Sequence, residues 1–146
     1  MFTSIDFVSQ SELHYMDGSD DTVVISIRSP NTGRARVAPA FKDWLFLAFD
    51  GNDFPSRGMV RFSEPMAEEI LAFVAKYEGG ASKILVNCMA GETRSAGVAC
   101  YFADKYNLEL KRDTSDRSEY VYFLLDHVDS MAQDERDRAH ATTAAQ

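Results

Sequence analysis

Residues 83–103 read KILVNCMAGETRSAGVACYFA and contain the most informative pattern in the chain. The apolar run at residues 84–86 is typical of a buried β-strand. The small apolar residues that begin at position 96 favour a helix packed against a sheet. Because a glycine-containing loop joins the two segments, the stretch predicts a strand–loop–helix unit.

The loop of this unit has the composition of an anion-binding site. Cys88 and Arg94 stand in the spacing C-x5-R, with Gly91 between them and Ser95 directly after. A tight loop that enters a helix N-terminus directs backbone N–H groups into one hollow, where the helix dipole adds positive charge. An arginine can donate two hydrogen bonds to a phosphate there, and the same donors stabilise a cysteine thiolate beneath it. The loop is therefore expected to hold a phosphate above a nucleophile.

The segment CMAGETRS at residues 88–95 resembles the phosphate-binding loop of the protein tyrosine phosphatase superfamily, whose pattern is H-C-x-x-G-x-x-R-[ST]. The residues that match this pattern are Cys88, Gly91, Arg94 and Ser95. Asn87 stands where the family has a histidine that helps to keep the cysteine acidic. The resemblance therefore implies a less acidic Cys88 and slower turnover. In its small size, the chain is similar to members of the dual-specificity branch and of the bacterial or phage branches of this superfamily.

The resemblance also implies a role for each residue of the loop. Cys88 would attack phosphorus and form a phosphocysteine, while Ser95 would help to expel the sulfur in the second step. Arg94 and the loop amides would bind the equatorial phosphate oxygens. These amides belong to the residues between the cysteine and the arginine, which are Met89, Ala90, Gly91, Glu92 and Thr93. This chemistry requires no metal or other cofactor.

A general acid is expected on a loop that follows an earlier strand. Residues 44–49, WLFLAF, predict a strand that is apolar enough to be buried on both faces. In the phosphatase family, an aspartate after such a strand protonates the leaving oxygen. Asp50 and Asp53 lie 38 and 35 residues before Cys88, within the family's range. The position directly after the strand favours Asp50, with Asp53 as the alternative, and both could instead be ordinary turn residues.

The rest of the chain alternates between predicted strands and helices. Strands are expected at residues 3–8 and 22–27, and helices at residues 63–77 and from position 114 or 115 to about 131. This alternation is typical of an α/β domain with a mainly parallel central sheet flanked by helices on both faces. The resemblance implies the cysteine-phosphatase-like form of that fold. Ligand sites in such folds lie at the carboxyl ends of the strands.

The 146 residues predict a single domain at residues 1–133, followed by a flexible, solvated tail at residues 134–146. Two cysteines do not make a disulfide framework, and Cys100 is expected to be a small core residue. The three histidines show no metal-ligand spacing, so no metal site is expected. The absence of a membrane-length apolar stretch and of signal-peptide features predicts a cytoplasmic protein.

The overall charge narrows the range of partners. A net charge of −8 argues against a nucleic-acid partner and against an anionic membrane surface. The loop at residues 28–36 carries three arginines, and it is either a solvated connection or a rim that meets a phosphorylated substrate. A phosphorylated protein or a small phosphate ester is thus the expected partner.

The sequence predicts a phosphatase that hydrolyses phosphomonoesters, with phosphotyrosine or dual-specificity protein substrates. The main alternative is a catalytically weakened phosphoprotein-binding module, because Asn87 and Gly51 both depart from the family pattern. An RNA 5′-phosphatase is disfavoured by the negative charge. A rhodanese-type sulfurtransferase is disfavoured because it would have no obvious use for Ser95.

Overall fold

The structure is a computed structural model that describes residues 1–51 and 57–145, with side chains described up to residue 141. The strands are β1 (Ser4–Ser9), β2 (Thr22–Arg28), β3 (Asp43–Ala48) and β4 (Lys83–Cys88). The helices are α1 (Gln10–His14), α2 (Glu64–Lys76), α3 (Arg94–Tyr106) and α4 (Glu119–Ala145).

The four strands form one sheet in the order β1-β4-β2-β3, and each neighbouring pair is parallel. Strand β4 is central, and Ile84, Leu85 and Val86 are fully buried because both faces of the sheet are covered. All four strands therefore end at the same edge of the sheet. The predicted α/β fold with a parallel central sheet is confirmed.

The two faces of the sheet are covered in different ways. One face packs against α2, α3 and α4 and holds the larger apolar cluster, which includes Phe7, Ile25 and Val86. The other face packs against the short helix α1 and the β2–β3 connection, around Leu85 and Phe41. Because side chains alternate along a strand, successive residues of β4 belong to opposite faces.

The structure corrects the predicted burial of β3 and the predicted start of α4. Strand β3 forms an edge of the sheet and Trp44 is 37 % exposed, so the prediction of burial on both faces was wrong. A short apolar run does not distinguish an edge strand from a central one. Helix α4 begins at Glu119, where the Oγ of Ser118 accepts a hydrogen bond from the N–H of Val121 (3.2 Å). Residues 114–117 form a turn instead.

Helix α4 continues to Ala145, through the residues that were predicted to be a flexible tail. Its side chains from residue 133 to 141 are exposed, so solvation was predicted correctly but the helical backbone was not. Residues 134–145 include four alanines and two arginines, which favour helices even when all faces are in water. Among the described helices, including the 27 residues of α4, none is long and apolar enough to cross a membrane.

Candidate active site

The cysteine of the motif ends the central strand and lies beneath the loop that leads into α3. Cys88 is 2 % exposed, and its Sγ lies 3.1 Å from the Oγ of Ser95, which is fully buried in the first turn of α3. Backbone N–H groups of Gly91, Glu92 and Ser95 also donate hydrogen bonds to the sulfur. The loop thus surrounds the sulfur with donors, as the motif predicted.

These donors determine the acidity of the thiol. Burial raises the pKa of Cys88, but the hydrogen bonds from the Ser95 hydroxyl and from the backbone N–H groups of Ser95, Gly91 and Glu92 lower it by more. The pKa of the Cys88 thiol therefore lies below its ordinary value. A lower pKa increases the fraction of thiolate near neutral pH, and the thiolate is the nucleophilic form.

The guanidinium of Arg94 is anchored at the carboxyl ends of β2 and β3. Arg94 is 9 % exposed, and its Nη1 donates to the carbonyl oxygen of Phe49 (2.8 Å) and to the Oγ of Ser29 (3.1 Å). Within the described residues, Nε and Nη2 have no hydrogen-bond partner. Together they form one edge of the guanidinium, which is the edge that binds two oxygens of a phosphate in a bidentate pair.

Gly51 lies against the same guanidinium. A Cβ atom built on Gly51 would lie 3.3 Å from the Nε of Arg94. The absence of a side chain at position 51 therefore leaves the Nε side of the Arg94 guanidinium uncrowded. In the sequence alone, Gly51 is only a departure from the family pattern, and this contact was not predicted. Ser29 was missed as well, although its position directly after β2 placed it at the correct edge of the sheet.

Gly91 allows the loop to rest directly on the junction between β1 and α1. Its φ is +70°, and a Cβ atom there would lie 2.4 Å from the backbone nitrogen of Ser9 and 2.5 Å from the carbonyl carbon of Val8. The N–H of Gln10 donates to the carbonyl oxygen of Met89 (3.1 Å). Only glycine fits both the backbone conformation and the close approach.

Asn87 does not take part in the hydrogen bonds of the loop. Its side chain is fully buried, and neither the Nδ2 nor the Oδ1 atom has a hydrogen-bond partner among the described residues. Asn87 alternates with Cys88 along β4, so it belongs to the face of the sheet that also carries Leu85. The hydrogen bonds that lower the pKa of Cys88 come chiefly from Ser95, Gly91 and Glu92.

The predicted acid loop begins beside Arg94. Asp50 follows Phe49, whose carbonyl accepts the hydrogen bond from Arg94. The N–H of Asp50 donates to the carbonyl oxygen of Val60 (2.7 Å), and the Oδ2 of Asp50 accepts from the N–H of Val60 (2.7 Å). These two bonds close the base of the loop. Asp53, the alternative acid, lies outside the described residues.

The three arginines at residues 28–36 bind to the chain itself. The Nη1 of Arg28 donates to the carbonyl oxygen of Thr32 (2.6 Å), and Arg36 donates to the carbonyl oxygen of His14 (3.1 Å). The guanidinium of Arg34 lies over the ring of Phe46 (4.6 Å to the centroid). These contacts favour the interpretation of this segment as a structural connection.

The remaining residues of the Cys88 loop contact the start of α4 on one side and are open to solvent on the other. The carbonyl oxygen of Thr93 accepts a hydrogen bond from the N–H of Ser118 (2.9 Å). Met89 is exposed, and so are Ala90 and Glu92. A surface recess of about 270 Å³ adjoins Met89, with the exposed ring of Tyr15 on its wall.

Cys100 is buried in the core, as predicted. Among the described residues, no group of three or more His, Cys, Asp or Glu side chains is arranged to hold a metal ion. In comparisons with known proteins, no family model and no curated protein matches this chain. The resemblance of residues 88–95 to the phosphatase motif therefore stays a prediction, and the case for the site depends on its geometry.

Proposed function

We propose that the protein is a cysteine-dependent phosphatase that hydrolyses phosphomonoesters on tyrosine, or on tyrosine and serine or threonine, of protein substrates. The observation that carries this proposal is the position of the Cys88 sulfur beneath the N–H groups of Gly91, Glu92 and Ser95, with Arg94 in the same loop. Donors that stabilise a thiolate also stabilise the negative charge of a bound phosphate. The arrangement therefore supports both the nucleophile and the binding of its target.

The reaction has two steps. The thiolate of Cys88 attacks phosphorus, so that a P–S bond forms while the P–O bond to the leaving group breaks. Arg94 binds two equatorial oxygens through Nε and Nη2, and the loop amides bind the remaining charge of the transition state. Water then attacks the phosphocysteine, and the P–S bond breaks to release inorganic phosphate. The hydroxyl of Ser95, 3.1 Å from Sγ, stabilises the departing thiolate.

Asp50 is the proposed general acid, with Asp53 as the alternative. The Oδ2 of Asp50 accepts the N–H of Val60, so the proton that is transferred to the leaving oxygen would be carried on Oδ1. In the second step the same carboxylate accepts a proton from the attacking water.

The surroundings of the loop favour a substrate with a single phosphate group. The exposed carboxylate of Glu92 and the net charge of −8 repel polyanionic ligands such as phosphoinositides or RNA. The exposed side chains of Met89 and Tyr15 provide apolar contacts for the part of a protein substrate that surrounds the phosphorylated residue. We place this activity in the cytoplasm, where the reducing environment keeps Cys88 as a free thiol.

Hydrolysis of para-nitrophenyl phosphate between about pH 5 and 8 under reducing conditions tests the proposal. The matched variants are Cys88→Ser and Cys100→Ser, since the second cysteine is also buried but lies outside the loop. We expect Cys88→Ser to lower kcat by at least about a thousandfold and Cys100→Ser to leave it within about twofold. Equal activity of the wild type and Cys88→Ser would contradict the proposal.

A phosphoprotein-binding module is the second candidate, and one observation favours it. The Oδ2 of Asp50 already accepts a hydrogen bond from the N–H of Val60 in its own loop, so the carboxylate has a role in closing the loop that does not require acid chemistry. A folded wild type without turnover that still binds vanadate or a phosphopeptide, and loses this binding in Arg94→Ala, would support the module and contradict the phosphatase.

A further inference from the structure

Arg112 belongs to the connection between α3 and α4, but its guanidinium binds the first strand and the first helix. Its Nε donates to the Oδ1 of Asp6 in β1 (2.8 Å). Its Nη2 donates to the Oε2 of Glu12 in α1 (2.8 Å), and its Nη1 donates to the Oε1 of Glu12 (3.2 Å). One side chain therefore ties the C-terminal part of the domain to the β1–α1 junction through a bidentate ion pair.

Glu12 passes this constraint to Ser9. The Oε1 of Glu12 accepts a hydrogen bond from the backbone N–H of Ser9 (3.2 Å), and the Oγ of Ser9 accepts one from the N–H of Glu12 (3.1 Å). These reciprocal bonds form a capping box. Helix α1 has only five residues, and a helix of that length is not stable without such contacts. Ser9 is the last residue of β1, and beyond the sheet its backbone is held by Glu12 and its partner Arg112.

The backbone of Ser9 and Gln10 is the surface on which the phosphate loop rests. The space that a Cβ of Gly91 would occupy is filled by the nitrogen of Ser9, at 2.4 Å. The N–H of Gln10 binds the carbonyl oxygen of Met89. Gly91 in turn donates its N–H to the sulfur of Cys88. A shift of the β1–α1 junction would therefore move an amide that stabilises the thiolate.

We propose that Arg112 is a positioning residue for the Cys88 loop: its ion pair with Glu12 holds the Ser9–Gln10 backbone against Met89 and Gly91. The consequence for catalysis rests on the proposed phosphatase function. The effect on the thiol does not, because it concerns the free protein without substrate.

The test is the pH dependence of Cys88 alkylation by iodoacetamide, followed by the mass of the Cys88 peptide in a Cys100→Ala background. We expect Arg112→Ala to raise the apparent pKa by about half a unit, which makes alkylation about threefold slower below that pKa. Lys105→Ala is the matched control. Lys105 forms an ion pair of similar length with Asp129 (2.7 Å) and also links two elements, but it has no described contact with the loop. Its profile should coincide with that of the parent protein.

Two further variants separate positioning from general stability. Glu12→Gln keeps an oxygen that can accept the Ser9 N–H but removes the ion pair, so it should raise the pKa of Cys88 as Arg112→Ala does. The double variant should cause no additional shift, because both changes remove the same interaction. If Arg112→Ala does not fold, Arg112→Lys serves instead. Lysine keeps the positive charge but cannot form the bidentate ion pair with Glu12, so it should shift the alkylation profile in the same direction.

The inference would be overturned if a folded Arg112 variant kept the pH profile of Cys88 alkylation unchanged. The comparison requires that this variant lose as much free energy of unfolding as Lys105→Ala does. Arg112 would then be a structural ion pair only. The profile does not require turnover, so this failure is distinguishable from failure of the proposed function. A wild type without phosphatase activity can still show the shift, and an active phosphatase can lack it.

Discussion

The two loops that meet at the carboxyl edge of the sheet are constructed differently. The Cys88 loop, residues 88–95, is in direct contact with the scaffold, since Gly91 packs on the Ser9 backbone and three loop amides bind the sulfur. The described part of the Asp50 loop contacts the site through Phe49 and Gly51, while its carboxylate binds Val60. The fold thus fixes the proposed nucleophile and the proposed phosphate-binding groups. The proposed acid belongs to a loop whose own closure uses the same carboxylate.

The largest effect is expected from a methyl group added to the Cys88 loop. Gly91→Ala places a Cβ 2.4 Å from the nitrogen of Ser9 at a φ of +70°, where an L side chain is also strained. Neither the loop nor the strand backbone can move without breaking hydrogen bonds. We expect a loss of about 3 kcal/mol or more in the free energy of unfolding, measured by chemical denaturation, and the loss of vanadate binding.

Gly51→Ala adds the same methyl group to the other loop and is the control for this prediction. Its Cβ would lie 3.3 Å from the Nε of Arg94, and the neighbouring atoms belong to a side chain that can shift. We expect less than about 1 kcal/mol of destabilisation and only weakened vanadate binding. Equal losses in the two variants would show that the loops do not differ in rigidity.

The next effect concerns the acid. Asp50→Asn removes the proposed proton donor but keeps an oxygen that can accept the Val60 N–H, so the closure of the loop should survive. We expect kcat to fall by about a hundredfold with phenyl phosphate, whose leaving group needs protonation, and by less with para-nitrophenyl phosphate. The free energy of unfolding should be unchanged.

The opposite pattern would change the assignment. If Asp50→Asn retains the turnover of phenyl phosphate, the carboxylate of Asp50 serves only to close its loop. The same pair of substrates with Asp53→Asn then decides whether the alternative aspartate is the acid. If Asp50→Asn and Asp53→Asn each lose activity equally on phenyl phosphate and on para-nitrophenyl phosphate, neither aspartate protonates the leaving group.

The contrast between the loops also explains what the sequence could predict. The residues that surround the Cys88 sulfur lie within eight positions of one another, and the strand before them and the helix after them have clear patterns. The contacts of Arg94 with Ser29 and Phe49 join residues that are 65 and 45 positions apart. No local sequence pattern indicates these long-range contacts, because they depend on the order of strands in the sheet.

The same distinction applies to the fold. The alternation of strands and helices was sufficient to predict the parallel α/β class. Each connection between parallel strands must return from the carboxyl end of one strand to the amino end of the next, and a helix usually makes that connection. The edge position of β3 depends on strand order, which the apolar run at residues 44–49 does not contain. The helix through residues 134–145 was missed because its polarity indicated solvation, which says nothing about backbone conformation.

The smallest effect is expected at Asn87, where the question is whether the Cys88 loop depends on the opposite face of the sheet. The amide is buried without a partner, and such a group costs about 1–3 kcal/mol. Asn87→Val removes both unpaired atoms and suits a buried strand, so we expect a gain of about 1 kcal/mol in the free energy of unfolding. The alkylation profile of Cys88 should not change, because the donors to its sulfur come from the loop and Ser95. A loss of stability together with a higher pKa of Cys88 would show that the amide supports the loop in solution, as the histidine of the phosphatase motif does.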